Sequence, residues 1–472
     1  YTTMEFESEA IIVREFHKFL MNDDLYCGSK PVMWSVIEKT ALAEAEVEYK
    51  EHVSPTIWVK FPLTSKEKPY DESSILIWTT TPWTIPANRA IAFSSKYEYG
   101  LYEVIEIEEG SLAKIGEKII INNSLKENLE NASKTKINLI QNVNEIEKLV
   151  CQHPFNSLGY DFDIPLLEGE FVTDETGTGF VHIAPSHGQD DYDLASKNGI
   201  EAPFMIDDEG VYLPSVKIFA GKKVYDDDGS YGDGNGAVIK ELINCNALFA
   251  KGKLRHQYPH SWRSKAPLLF RNTPQWFISM EKNNLRNKSL SEIENVEWIP
   301  KRGKNRIKSM VDNRPDWVVS RQRAWGVPLA IFLNKKTGEI LKDKEINEKI
   351  FNNFKENGSD SWFELSSEEI LGEKYNSDEW EKIDDILDVW FDSGSTQAFV
   401  LEGNQGIGIP ADLYLEGSDQ HRGWFQSSLL VGCGTRGKAP FKKVLTHGFV
   451  VDKDGKKESK SLGNVTKPED LI

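Results

Sequence analysis

The sequence predicts an α/β protein in which one α/β domain is interrupted by a long β-rich insert. Three observations predict it. Helically spaced apolar residues open the chain at "SEAIIVREFHKFLMND". Short β-rich runs separated by Gly, Pro and Asn clusters fill residues 54–250. A strand–cap–helix step then reads out of "DLYLEGSDQHRGWFQSSLLVGCG".

Bulk properties narrow the class. The chain has 472 residues, too many for one compact core, and its 39% hydrophobic and 28% charged content is that of a globular protein. Cys27, Cys151, Cys245 and Cys433 are scattered without a CxxC, which speaks against a disulfide framework and fits a reducing cytoplasm. No run of about 20 apolar residues occurs, so no membrane span is expected. The first residue is Tyr1 and no signal pattern follows, so the sequence reads as starting inside a longer protein. Net charge is −18, yet residues 251–336 hold 19 Lys/Arg against 6 Asp/Glu. That asymmetry suits one face that meets a polyanion, or equally a set of solvated loops.

Taken in order, residues 1–53 read as a helix, a strand "KPVMWSV" and a second helix "KTALAEAEVEY". The insert, 54–250, carries strands "TIWVKFPL", "SILIWTTT", "LYEVIEI" and "GFVHIA". Its polar stretch "NNSLKENLENASKTKINLIQNVNEIEKL" reads as a peripheral insertion, and "DDDGSYGDGNG" (226–236) as a loop or an ordered turn. Residues 251–472 resume the α/β alternation.

Four constellations carry possible chemistry. Thr79, Thr80 and Thr81 lie in "WTTTPWTIPAN", which is either an edge strand running into a Pro-punctuated turn or a set of oriented hydroxyls. Glu416 and Gly417 end a strand, Asp419 and Gln420 open the next helix, and Trp424 lies one turn on. Open α/β sheets bind ligands there, where carboxylates hold an ammonium or ribose hydroxyls, although Asp419 could simply cap and Trp424 fill core. Trp390, in "DVWFDSGST", reads as part of an apolar strand ending in Asp-Ser-Gly. Finally, "GKKESKSLGNV" sets Lys457 and Lys460 among Ser459, Ser461 and Gly463, suited to a triphosphate or to plain solvation. It is no P-loop, since no GxxxxGK[ST] occurs.

The strings "WTTTPWTIPAN", "GTGFVHIAPSHGQDDY", "TPQWFISM", "SRQRAWGVP", "DVWFDSGS", "LYLEGSDQHRGWFQSSLL" and "KESKSLGN" occur in this order, and together they resemble the bacterial-type isoleucyl-tRNA synthetases of class I. The resemblance runs from residue 1 to 472. It implies a Rossmann-type parallel-sheet catalytic domain interrupted by a mixed α/β editing domain. It also implies activation of isoleucine by ATP with Mg2+, transfer to tRNA(Ile), and a cytoplasmic monomer.

By the resemblance, Lys457 and Lys460 would stabilise ATP phosphates, and Glu416, Gly417, Asp419 and Gln420 would meet the adenylate. Trp390 and Trp424 would bound the isoleucine side chain, and His447 would lie near the nucleotide. The insert would hydrolyse mischarged valyl-tRNA, because one missing methylene is worth only about 1–3 kcal/mol of selection, a limit for which isoleucine against valine is itself the standard example. Thr79, Thr80 and Thr81 would orient water, His182 would sense substrate size, and Asp191, beside Asp190, would hold the substrate ammonium. A valyl-type synthetase, a stand-alone deacylase and a noncatalytic RNA-binding protein are the alternatives.

The sequence departs from the family in four ways. No H-x-G-H string occurs, and the chain stops after "KPEDLI", so a fragment lacking the HIGH region and the anticodon-binding domain is expected. Glu458 stands in the KMSKS-like loop where Met is usual. Ser35, Glu38, Ser261 and Ser264 occupy neighbourhoods where many relatives carry zinc-binding Cys pairs, so no zinc is expected.

Overall fold

The computed structural model describes residues 2–404, 407–459, 463–467, 469 and 472. It divides into two compact units, Tyr1–Gly28 with Gln275–Ile472, and Ser29–Pro274. The chain leaves the first unit inside the strand Leu25–Ser35 and returns inside Leu269–Ile278. Positions 54 and 250 are not at the boundary. Val47–Pro62 and Leu248–Ser261 form one antiparallel ribbon, paired from Val47↔Ser261 to Leu248↔Val59, and both positions fall within it.

The Ser29–Pro274 unit is built on a ten-stranded mixed sheet. Ser73–Thr79 lies inside it, antiparallel to Val47–Pro62 and parallel to both Lys118–Asn122 and Val181–Ile183. The threonine run therefore ends a central strand, which corrects the edge-strand reading. The physical reason is that Ile75, Leu76 and Ile77 are all fully buried, so both faces of the strand are covered. At one edge lies Thr135–Val143, preceded by the helix Lys126–Ser133.

Two further readings change here. "KTALAEAEVEY" is not a helix: after the Thr40–Ala41 bridge and the 3-10 turn Glu44–Glu46, Val47 enters the ribbon. Cross-strand pairing of residues 47–49 with residues 259–261 outweighs the helix propensity of Ala and Glu. Residues 226–233 form an ordered turn, with Asp226 N–H donating to Ser230 O at 2.9 Å, and 234–236 open the helix Gly234–Asn244.

In the other unit, the helix Phe6–Met21 buries Ile12, Val13, Phe16, Phe19 and Leu20 in a core shared with the helix Trp424–Arg436. The two approach so closely that a Cβ at Gly434 would lie 2.2 Å from the Phe19 ring. A parallel sheet of order Glu297–Ile299, Lys443–His447, Tyr414–Gly417 supplies the carboxyl-end platform. Trp390 lies on a short helix, Val389–Gly394, rather than on a strand. Asp388 imposes the turn. Its carboxylate accepts the Trp390 N–H at 3.2 Å and the Trp317 indole N–H at 2.9 Å, and pairs with Arg321 at 3.1 Å.

Candidate functional site

In the Ser29–Pro274 unit a cavity of about 230 Å³ opens beside the threonines, below the usual size of drug-like pockets. Thr79, Thr80, Trp78, Gly177, Phe180 and His182 are among its walls. The first turn after the strand is a 3-10 helix, Pro82–Ala87, with Pro at its start. That turn places Thr84 three residues from Thr81 and returns its hydroxyl to the Thr81 carbonyl at 2.9 Å.

A continuous polar chain results. Thr79 Oγ1 meets Thr81 Oγ1 at 3.1 Å, which meets Thr84 Oγ1 at 3.2 Å, which meets His182 Nε2 at 3.0 Å. On the far side, the Asn88 amide N–H donates to His182 Nδ1 at 2.6 Å and also to the Ala90 carbonyl at 2.9 Å. With Nδ1 as acceptor, Nε2 carries the proton and donates to Thr84. Burial pushes the His182 pKa down to about 3, with a further push from His187, so the ring is neutral. It is a fixed wall with both nitrogens occupied, unsuited to general acid–base work. Among the described residues Thr80 alone of the three threonines has no side-chain hydrogen bond, and its hydroxyl is the one left for a ligand or water.

Asp191 is not part of that wall. It lies in the first turn of the helix Gln189–Lys197, packed against Gly188, and accepts the Ala184 N–H at 2.8 Å, two residues beyond His182. Burial raises its pKa to about 7, against the lowering effect of the Ala184 bond, and Asp190 adds to the rise. A carboxylate so desolvated gains sharply from an arriving cation.

In the other unit the predicted ligands gather at the strand ends. Glu416↔Thr446 and Gly417↔His447 are paired residues of the parallel strands. A Cβ at Gly417 would strike Asp419 Oδ1 at 2.5 Å, so glycine there makes room for the Asp419 carboxylate. Asp419 and Gln420 sit in a 3-10 turn, Ser418–His421, ahead of the helix that starts at Trp424. Gln420 Oε1 accepts the Trp424 N–H at 3.0 Å, and its Nε2 donates to Asp419 at 3.2 Å. Asp419 does not cap that helix; Gly423 stands at the cap.

Trp424 is fixed twice, stacked on Tyr414 at 4.0 Å and donating its indole N–H to the Ser393 carbonyl at 3.1 Å. Trp390 covers Gly423, where a Cβ would lie 2.6 Å from its ring. His447 is exposed, with Nδ1 2.7 Å from the Gly448 carbonyl. The Lys457 ammonium sits 3.7 Å over the Phe449 ring, which itself lies 3.9 Å from the Cβ position of Gly417. Lys460 lies outside the described residues.

A family model described as tRNA synthetases class I (I, L, M and V) matches residues 1–472. The chain belongs to that family. It is 49% identical to the isoleucine--tRNA ligase of Rhodopseudomonas palustris, over 100% of this chain and 51% of that one. It is 50% identical to those of Caulobacter vibrioides and Pelagibacter ubique, covering 50% and 51% of them. The chain thus spans about half the length of the curated relatives it matches.

Within this class I synthetase chain, sequence reasoning missed Thr84 and Asn88, the two partners of His182. The signal was present, since both lie in the same "WTTTPWTIPAN" string, but only the 3-10 turn brings them to the histidine. The serines at 35, 261 and 264 form a knot around Glu38, whose Oε1 accepts from the Ser261 hydroxyl and from the Ser264 N–H at 3.2 Å. Among the described residues no group of three or more His, Cys, Asp or Glu is arranged to hold a metal ion, and no helix is long and apolar enough to cross a membrane.

Proposed function

We propose that the chain is the central part of an isoleucine--tRNA ligase, activating isoleucine in the Tyr1–Gly28/Gln275–Ile472 unit and hydrolysing mischarged valyl-tRNA(Ile) in the Ser29–Pro274 unit. The observation that carries the proposal is identity of 49–50% across the entire chain to isoleucine--tRNA ligases. In the activation step the isoleucine carboxylate attacks the α-phosphorus of ATP and pyrophosphate leaves. Lys457 and Lys460 neutralise the charge that develops on the leaving phosphates. Glu416, Gly417, Asp419 and Gln420 hold the adenylate at the strand ends, His447 lies near the nucleotide, and Trp390 and Trp424 wall the side chain. Mg2+ would be held by the ATP phosphates and would neutralise part of their charge, with Lys457 and Lys460 supplying the protein's share.

In editing, water attacks the ester carbonyl of valyl-tRNA. Of Thr79, Thr80 and Thr81, the Thr80 hydroxyl orients that water while the other two hold the strand end through their own bonds, the rigid His182 wall limits substrate size, and Asp191 pairs with the α-ammonium. The protein works as a cytoplasmic monomer, and the basic segment 251–336 faces the tRNA. Isoleucine-dependent ATP–pyrophosphate exchange by the full-length gene product, with valine as competitor, tests the reading. Exchange that prefers isoleucine supports it. Preference for valine makes this a valyl-type enzyme, and deacylation without any exchange makes it a stand-alone deacylase.

A further inference from the structure

Glu458 stands where the family's loop carries Met, and each of its carboxylate oxygens accepts a bond from Thr466. Oε1 accepts the Thr466 hydroxyl at 2.7 Å, and Oε2 accepts the Thr466 N–H at 3.1 Å. The segment leading into it is a tight hairpin. Val451 bridges Lys457, Glu458 N–H donates to the Val450 carbonyl at 2.9 Å, and Asp452 Oδ1 accepts the N–H groups of Asp454 and Lys456 at 3.0 and 2.9 Å. Asn464 closes the other side, donating to Asp452 Oδ2 at 2.8 Å and accepting the Ser459 N–H at 2.9 Å. Two side chains on the entry side of the loop are thus tied to two residues on its exit side.

We infer that Glu458 is a positioning residue, a clamp that binds Thr466 and ties the hairpin of residues 450–458 to residues 464–466, rather than a charge that faces the nucleotide. Neighbouring side chains of extended backbone point to opposite faces. Lys457 accordingly lies over Phe449, and Glu458 is spent on the other side. The inference rests on the activation chemistry proposed above, and it makes a prediction opposite in sign to simple electrostatics. A carboxylate repelling ATP would, once removed, lower KM for ATP. A clamp, once removed, leaves the hairpin that carries Lys457 untethered, to be ordered on binding, and KM rises.

The test uses the full-length protein with Glu458→Met, Thr466→Val and the double variant. Each single change is expected to raise KM for ATP in isoleucine-dependent exchange by about threefold to tenfold, the size of one exposed hydrogen bond, with kcat changed less. The double variant is expected to match Glu458→Met, because both remove one interaction. Trypsin cleavage after Lys456 and Lys457, followed by mass spectrometry, is expected to speed up in each variant. That readout does not depend on what the enzyme activates. A lower KM in Glu458→Met with unchanged trypsin cleavage would overturn the clamp. Faster cleavage in a protein whose parent shows no isoleucine-dependent exchange would keep the clamp and sink the proposed function instead.

Discussion

The two candidate sites differ in how their polar groups are satisfied. In the Ser29–Pro274 unit Thr79, Thr81, Thr84, His182 and Asn88 bond to one another, so the wall is finished before any ligand arrives. In the other unit Glu416 and His447 lie at the ends of parallel strands, Asp419 in the turn that follows and Lys457 in a hairpin further on, and all four are exposed. The first arrangement suits rejection by shape, since a rigid wall cannot relax around an oversized side chain. The second suits capture of a charged ligand, whose own charges complete the pairing. Asp191, outside that wall, differs: its carboxylate is desolvated and, among the described residues, accepts one backbone N–H, from Ala184.

The sharpest way to break this comparison is Asp191→Ala. Deacylation of preformed valyl-tRNA should fall by about a hundredfold or more, as a charged hydrogen bond of roughly 1.5–3 kcal/mol is lost together with orientation. Isoleucine-dependent exchange should stay within about twofold. A folded variant that clears valyl-tRNA at the parental rate would remove Asp191 from the site.

Acid comes next. Burial pushes His153 and His182 down to about 3 and His187 to about 4, and lowers His52 as well, whereas in the other unit it pushes His17 down to about 4 and lowers His421. A histidine depressed in the folded state supplies stability above the unfolded value of about 6.5 and loses it as pH falls toward the folded one. From pH 7.5 to 5 each costs about 2 kcal/mol. Asp191, raised to about 7, works the other way and regains part of that loss, as does Asp392 in the other unit, where burial also lifts the carboxyl well above its usual range. The histidine count decides the sign. Hydrogen exchange at pH 5, corrected for intrinsic rates, should rise more in peptides from 29–274 than in peptides from 275–459. Equal protection in both would mean that the buried rings carry compensating partners.

Asn88→Ala removes the only donor to His182 Nδ1 seen among the described residues, and should destabilise the Ser29–Pro274 unit by about 1–3 kcal/mol, the cost of an unmet buried acceptor. Denaturant melts followed in that unit measure it. Deacylation should drop as well, and with it the discrimination between valyl- and isoleucyl-tRNA, since the wall can then move. The smallest expected effect is that of Trp424→Phe. It keeps the stacking on Tyr414 but loses the indole bond to Ser393, raising KM for isoleucine about fivefold for a loss near 1 kcal/mol. Valyl-tRNA deacylation should be untouched; a matching loss there would undo the separation of the two sites.

Much of this was legible in residue order, and the exceptions have causes. The opening helix and the step from Tyr414–Gly417 to the helix at Trp424 follow from periodicity and local turn chemistry, which depend on near neighbours alone. The threonine string reads as an edge strand or as hydroxyls worth explaining, and the fold excludes the edge, because antiparallel Val47–Pro62 covers one side of the strand and Lys118–Asn122 and Val181–Ile183 share the other. "KTALAEAEVEY" has helix-forming residues and still becomes ribbon, because its partner lies about 200 positions away. Trp390 is on a helix because Asp388 is held by Arg321 and Trp317, residues no local window contains.

By itself, then, the sequence determined the alternation of elements, the candidate residues Thr79–Thr81, His182, Asp191, Glu416, Asp419 and the two tryptophans, and the family resemblance that runs through them. Only tertiary structure decided their states: that His182 is neutral with both nitrogens spoken for, that Asp191 is desolvated, and that Glu458 turns to Thr466. The reason is physical. Residue type sets which bonds a group is able to make, but burial and the partner across the fold set which it does make, and both come from chain segments far apart in sequence.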